Sequence, residues 1–381
     1  MSSLLLPSCP KLHFRAASLS IALPLVLLLV AGGAQRACAQ EASSQTKAEI
    51  ERLQQSLKDK PIADPGMPEL GSDIAASLNS ANAALTAGHL YLSLIQLGSA
   101  ADLLQGARCV IEKGATVQES LPAFETEWGK ASVQLAASNK TVQTKDWSHT
   151  TAGIRALAEA AQGRSTPLLE GGRGFATATK PKDGLFYLGQ SQGEAEFAAF
   201  AARLNLPRKA ALVPLRSLLP ELEALQEKTN AAFQPPRSID MHPRFIALNS
   251  AIKFARELDS SKAYAGALYE YLDAVRHYGM LDPTVPDAAK QSTLRSAIAD
   301  QIKKISASKR DDSIAQIFLE RATGWLNKPD GAATAPDEWR SIRVILEEVM
   351  PAYYAALKPA APMQQHAART ATLTLVRWPY T

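Results

Sequence analysis

Few residues in this 381-residue chain have the type and spacing to carry chemistry. Gly189–Gln190–Ser191–Gln192–Gly193 is a G-x-S-x-G pattern between the short apolar run Leu185–Leu188 and a segment of helical spacing from Glu194. In that local order a tight turn lifts a serine hydroxyl above a sheet, so Ser191 is the catalytic candidate of a serine-hydrolase reading. A triad would draw on Asp259 with His277, or Asp282 with His366. The buried parallel strands such an enzyme needs ahead of the elbow do not show in the pattern, and one continuous helix from about Leu185 with Ser191 exposed accounts for the same residues. Glu270, Asp273 and His277 stand three and four residues apart, on one helical face, as metal ligands in a bundle interior would. One helix cannot close a metal site, and the clusters Glu221–Glu223–Glu227 and Glu347–Glu348 supply no Glu-x-x-His complement. A solvated face with Arg276 alongside is the simpler expectation.

Aromatics point to a different kind of site. Tyr269–Glu270–Tyr271 and Tyr353–Tyr354 set adjacent rings on different sides of a helix, and Tyr264 opens the first of these segments. One side of each pair must face outward or toward another element, which marks Tyr264, Tyr269, Tyr271, Tyr353 and Tyr354 as binding residues for a protein or peptide. There is no Walker loop, dinucleotide fingerprint or basic patch interleaved with aromatics, so no cofactor and no nucleic acid is expected. Asn139–Lys140–Thr141 is a glycosylation sequon, meaningful in a eukaryote alone.

The elements that must position these residues are helical. Residues are 46% apolar, 20% charged and 6% aromatic, about one in six is alanine, and strand formers are thinly spread. That composition supports a core and disfavours a large sheet. Ile50, Leu53 and Leu57 make an exposed amphipathic helix. Ile74 to Leu85 and Leu90 to Val110 make a hairpin turning at Gly88, with His89 opening its second helix. Phe124 to Leu135 and Trp147 to Leu157 make a further pair, capped from Asp146 or Ser148. Cys109 lies within the hairpin's second helix as a small buried apolar residue.

From Gly163 to Gly184 the chain carries five glycines, two prolines and the alternation Phe175–Thr179, and is expected to be a loop with at most a short strand. Helical spacing returns from Phe197. Residues 231–243, with three prolines and His242, form a linker, so the expected domains are a helical half over 40–230 and another over 244–370. The closing segment 371–381 alternates as a strand does, and Ala371–Trp378 is expected to pair with Gly174–Thr179.

Self-similarity links the halves. Leu78–Asn79–Ser80–Ala81 recurs as Leu248–Asn249–Ser250–Ala251, each opening a hairpin with a tyrosine, Tyr91 or Tyr264, near the start of its second helix. The second copy, Lys262-Ala-Tyr-Ala-Gly-Ala-Leu-Tyr-Glu-Tyr-Leu-Asp-Ala274, resembles the second helix of a tetratricopeptide repeat. The first departs from it, with Leu94 and Ile95 where that family has Ala–Leu, and the chain has no 34-residue period. What the resemblance implies is a scaffold that binds peptides or proteins along a concave face.

The opening residues read as a leader. Lys11 and Arg15 precede the apolar run Leu19–Val30, interrupted by Pro24 and too short to span a bilayer, and Ala37 and Ala39 flank Cys38 in an A-x-A arrangement. A signal peptide over 1–39 follows, with the product periplasmic or secreted. Acylation of Cys38 is disfavoured because Gln35, Arg36 and Ala37 lack the aliphatic residue expected before a lipidated cysteine. Without Lys11, Arg15 and Arg36, the 41 basic residues become 38 against 37 acids, a net of +1. The expected protein is therefore all-α, built of stacked antiparallel hairpins as a bundle or short solenoid with at most a minor two-stranded β element. It is soluble, has no membrane span, and is a binding or scaffold protein rather than an enzyme. Intact-mass analysis of the exported protein should find Gln40 or a close neighbour at its N-terminus, and a diacylglycerol adduct on Cys38 would refute this.

Overall fold

The computed structural model describes residues 22–63, 66–208, 210–233, 241–328 and 331–358, with side chains from Cys38 onward. Helix α1 runs Ala22–Asp59, α2 Leu70–Thr86, α3 Leu90–Val117, α4 Leu121–Gln143 and α5 Ala152–Ala178. A 3-10 turn at Pro181–Gly184 leads into α6, Leu185–Arg203, and α7 is Leu219–Ala232. Beyond it lie α8 His242–Ser260, α9 Tyr264–Gly279, α10 Ala288–Ser306 and α11 Ser313–Leu326. The final long helix is α12 Pro336–Val344, a π turn at Ile345–Val349, and α13 Met350–Ala356. The architecture is all-α, as composition and periodicity require, and no strand occurs among the described residues. No helix there is long and apolar enough to cross a membrane.

The two hairpins α2–α3 and α8–α9 share one turn. In the first, Gly88 is left-handed at φ +82° and the His89 N–H returns to the Ala84 carbonyl; in the second, Lys262 is left-handed at φ +63° and the Ala263 N–H returns to the Leu258 carbonyl. Both are Schellman closures, and Lys262 tolerates the glycine conformation at some strain. Measured from the turn, Leu78 stands ten residues before Gly88 and Leu248 fourteen before Lys262, so the shared Leu–Asn–Ser–Ala words are displaced by one helical turn and still face the same way.

One hydrophobic core extends from Ile50 on α1 to Leu357, and a smaller one gathers Phe124, Leu135, Leu169, Leu185 and Leu188 where α4, α5 and α6 meet. Helix α1 is more deeply engaged than an exposed helix would be: Ala42, Thr46, Ile50 and Leu53 are buried, and the Arg108 guanidinium donates to the Ser56 carbonyl at 2.8 Å.

The glycine-rich stretch departs most from expectation. It is the C-terminal half of α5, continuous to Ala178 through Pro167, and not a loop or a strand. A Cβ on Gly184 would lie 2.2 Å from the Gly172 carbonyl oxygen, so these glycines let helix and 3-10 turn touch backbone to backbone. Residues 174–178 thus offer no strand to the tail, whose residues 371–381 lie outside those described. Helix α6 passes between α3 and α5 by the same device. A Cβ on Gly189 would meet the Gln105 carbonyl oxygen at 2.2 Å, and one on Gly193 the Asp102 Cα at 2.5 Å.

An opposed pair of substitutions tests this. Gly193→Ala should destabilise by about 1–3 kcal/mol through the backbone clash, although alanine gains about 1 kcal/mol of helix propensity. Gly174→Ala, with nothing within 4 Å of the added carbon, should stabilise by about 0.5–1 kcal/mol. Urea unfolding showing Gly193→Ala as the more stable of the two would contradict the close crossing.

Candidate functional site

The site is best built from helix ends. A helix leaves its first N–H groups without internal partners, and α4 and α10 satisfy theirs locally, with Ser120 and Asp287 accepting from Ala123 and Lys290. Helices α3, α5, α7 and α9 receive no bond from their own N-cap side chains. Carboxylates distant in sequence cap them instead. Asp311 accepts from the Ala152 N–H at 2.6 Å for α5, and Asp259 from the Leu218 N–H at 2.6 Å for α7.

The hairpins receive matched caps. Glu159, eighth residue of α5, accepts from the N–H of Gly266, third residue of α9, at 2.9 Å; Glu320, eighth of α11, accepts from the N–H of Leu92, third of α3, at 3.0 Å. In each glutamate the other oxygen is held from four residues back, by Arg155 at 2.6 Å and Gln316 at 2.8 Å. Burial pushes Glu320 up to about 7, against the opposing pull of the Leu92 N–H and Gln316.

Docked this way, α11 and the segment after it face the α2–α3 hairpin across a cleft of about 570 Å3. Ala83, Ala84 and Leu92 make one apolar wall, with the Trp325 indole opposite. The Gln96 amide oxygen lies buried in the cleft lining with no hydrogen-bond partner among the described residues. His89 sits at the rim, and burial lowers its pKa, favouring the neutral ring. Arg321 lies 5.6 Å from the Trp325 ring centre, and its one ionic contact among the described residues is Asp273 at 3.6 Å. A second cavity of about 580 Å3 opens on the other side of the Gly88 turn, between Ser43 of α1, the Pro207 loop and the start of α11.

The residues singled out from sequence fall elsewhere. Ser191 is buried in the middle of α6 and donates to the Ser165 carbonyl at 2.7 Å, so it is neither an elbow serine nor an exposed one. The glycines flanking it serve helix packing. Asp259 is spent as the α7 cap, and Asp282 binds Thr284 and Arg343.

Glu270, Asp273 and His277 share a helix as predicted, but arginines occupy the two acids. Glu270 takes Arg164 at 2.6 Å, and burial still pushes it up to about 7. Asp273 takes Arg276 at 2.8 Å and His277 at 3.2 Å. Burial works against the Asp273 charge, yet Arg276, His277 and Arg321 outweigh it and hold the carboxyl well below its usual range. The solvated face expected of this triplet is therefore a half-buried ion-pair seam. No grouping of three metal-ligating side chains fit to hold an ion occurs among the described residues. Arg164 also grips Glu194 of α6 through two bonds, at 2.7 and 3.1 Å. Asp102 of α3 sits beside them, raised to about 8 by burial and by Glu194, with one oxygen unpartnered.

The five tyrosines are not a displayed surface. Tyr353 is wholly buried and donates to Asp312 at 2.8 Å, Tyr269 is buried against Phe318, and Tyr271 and Tyr354 pack half-buried on the core; Tyr264 is half-buried at the start of α9. Cys109 is half-buried, and desolvation raises its thiol to about 12, far from a reactive thiolate. His242 is the first residue of α8 rather than part of a linker. The cleft residues Gln96, Arg321 and Trp325 escaped sequence reading; the four-residue spacing of Arg321 and Trp325 is the sole local signal, and it is common on helices.

No family model, curated protein or solved structure matches this chain.

The buried Glu320 generates a pH prediction. Its folded pKa is raised, so between about 4.5 and 7 the folded protein holds a proton that the unfolded chain has released, and stability falls as pH rises through that window. Glu320→Gln should remove this slope. Relative to wild type, the variant should gain on the order of 2–3 kcal/mol between pH 5 and pH 8. Equal pH dependence of the two proteins in denaturant melts would refute it.

Proposed function

We propose that this chain is an exported helical binding protein, working periplasmically or outside the cell, that receives a peptide segment in the cleft between α2–α3 and α11–α12. The observation that carries the reading is the cleft itself. It has the volume of a ligand site, apolar and aromatic walls, a few convergent polar groups, and a buried amide oxygen lacking a donor. A peptide supplies what the walls lack, namely backbone N–H donors and apolar side chains. The two hairpins with matched turns add support, since hairpin stacking that resembles tetratricopeptide repeats belongs to peptide-binding scaffolds. A hydrolase reading loses its footing because the Ser191 hydroxyl is buried and already donating.

The test is a titration of the purified protein with a pool of short unstructured peptides, read by tryptophan emission and by thermal shift. Peptide should raise the melting temperature and perturb emission. Ala83→Phe, which fills the cleft from its wall, should abolish both responses and change stability by no more than about 0.5 kcal/mol. Undiminished binding by Ala83→Phe would place the site elsewhere.

A further inference from the structure

The cleft wall is unevenly charged, and the imbalance lies at one residue. Arg321 has five N–H donors but makes no hydrogen bond among the described residues, and its ion-pair contact with Asp273 is 3.6 Å long. Asp273 is meanwhile bound closely by Arg276 and His277. The acid in the cleft lining, Glu338, is also engaged, by Lys328 at 2.8 Å and by the Ala335 N–H at 2.6 Å. His89 at the rim is kept neutral by burial. What remains among the described lining residues is one guanidinium in a partly apolar pocket, with burial and the adjacent Arg276 acting against its charge and outweighing the support of Asp273. An anion bound there would relieve both.

We propose that the cleft recognises the C-terminal end of a peptide, with the free carboxylate on Arg321, the last side chain along Trp325, and a backbone N–H donated to the Gln96 amide oxygen. The inference rests on the peptide-cleft reading above and adds the group that is read. A guanidinium fork fits a carboxylate with two parallel bonds, and the Trp325 face beside it favours a flat cation held in place. A phosphate dianion fits less well, since Lys328 is already paired and the Leu92 N–H at the start of α3 is taken by Glu320. A volume of about 570 Å3 holds two or three residues of a peptide end rather than a long segment.

The experiment uses randomised N-acetyl tripeptides prepared in two forms, free acids and C-terminal amides, titrated by calorimetry into the purified protein. The free acids should bind about tenfold or more tighter than the amides. Arg321→Gln should bring the acids down to about the amide level and weaken the amides far less than the acids, since an amide carbonyl accepts a hydrogen bond from the guanidinium but carries no charge to pair with it. Ala83→Glu, which alters no contact of the ion-pair network but places an anion on the opposite wall, should weaken the acids more than the amides; melting curves of both variants verify folding. Equal binding of acids and amides overturns the carboxylate assignment and leaves the peptide cleft standing. Binding of neither pool overturns both. An acid preference that survives in a folded Arg321→Gln also refutes the proposal.

Discussion

Two buried glutamates set the depth at which the helical hairpins dock, and much of the molecule follows from them. Glu159 and Glu320 each accept from the third N–H of a helix remote in sequence, at 2.9 and 3.0 Å, while a side chain four residues back holds the other oxygen. Burying a carboxylate is unfavourable unless its lone pairs are used, and burying a helix N-terminus is unfavourable unless its N–H groups are satisfied. Each group supplies the partner the other lacks at one contact, assisted by the positive end of the helix dipole, although at Glu320 burial still outweighs these bonds. The arrangement is exacting in register, because a shift by one residue along either helix leaves a donor and an acceptor stranded in the core.

The cleft is a by-product of that register. With Glu320 bound at the start of α3, the next turn of α11 carries Arg321 and Trp325 to the level of Leu92 and Gln96, and the alanine-rich end of α2 supplies the low facing wall. The raised Glu320 pKa means that the docking contact changes its protonation near neutrality, next to the cleft it defines.

Elsewhere the chain is joined by the same economy of polar contacts and small side chains. The segment between α6 and α7 threads across the molecule, with the Thr151 N–H on the Leu206 carbonyl and the Ala211 N–H on the Lys309 carbonyl, so that the starts of α5 and α11 are tied through it. Asp311 caps α5 and Asp312 accepts from Tyr353, which anchors the last described helix to the same corner. Glycines 184, 189 and 193 remove the side chains that would keep helices apart.

Helical class, the Gly88 hairpin and the presence of a second hairpin of similar pattern are legible in the chain, because alanine content, apolar spacing and a left-handed turn residue act within a few residues of one another. Residues 163–184 depart from their local pattern for a physical reason. Glycine and proline weaken a helix locally, and here close packing against the 3-10 turn and α6 outweighs that penalty, a balance with no local trace. The Gly189–Gly193 spacing admits both a nucleophile elbow and a helix crossing, and only the partner helix α3 decides between them. The same holds for the residues that shape the cleft. Glu159 and Glu320 look like ordinary helix acids, Asp311 lies 159 positions from the Ala152 N–H it satisfies, and Arg321 becomes a candidate anion site only because packing has already committed its neighbours' charges to other partners. Short-range spacing encodes the helices; which charges stay unpaired once the helices meet is a property of the tertiary arrangement, since it depends on pairings between segments far apart in the chain.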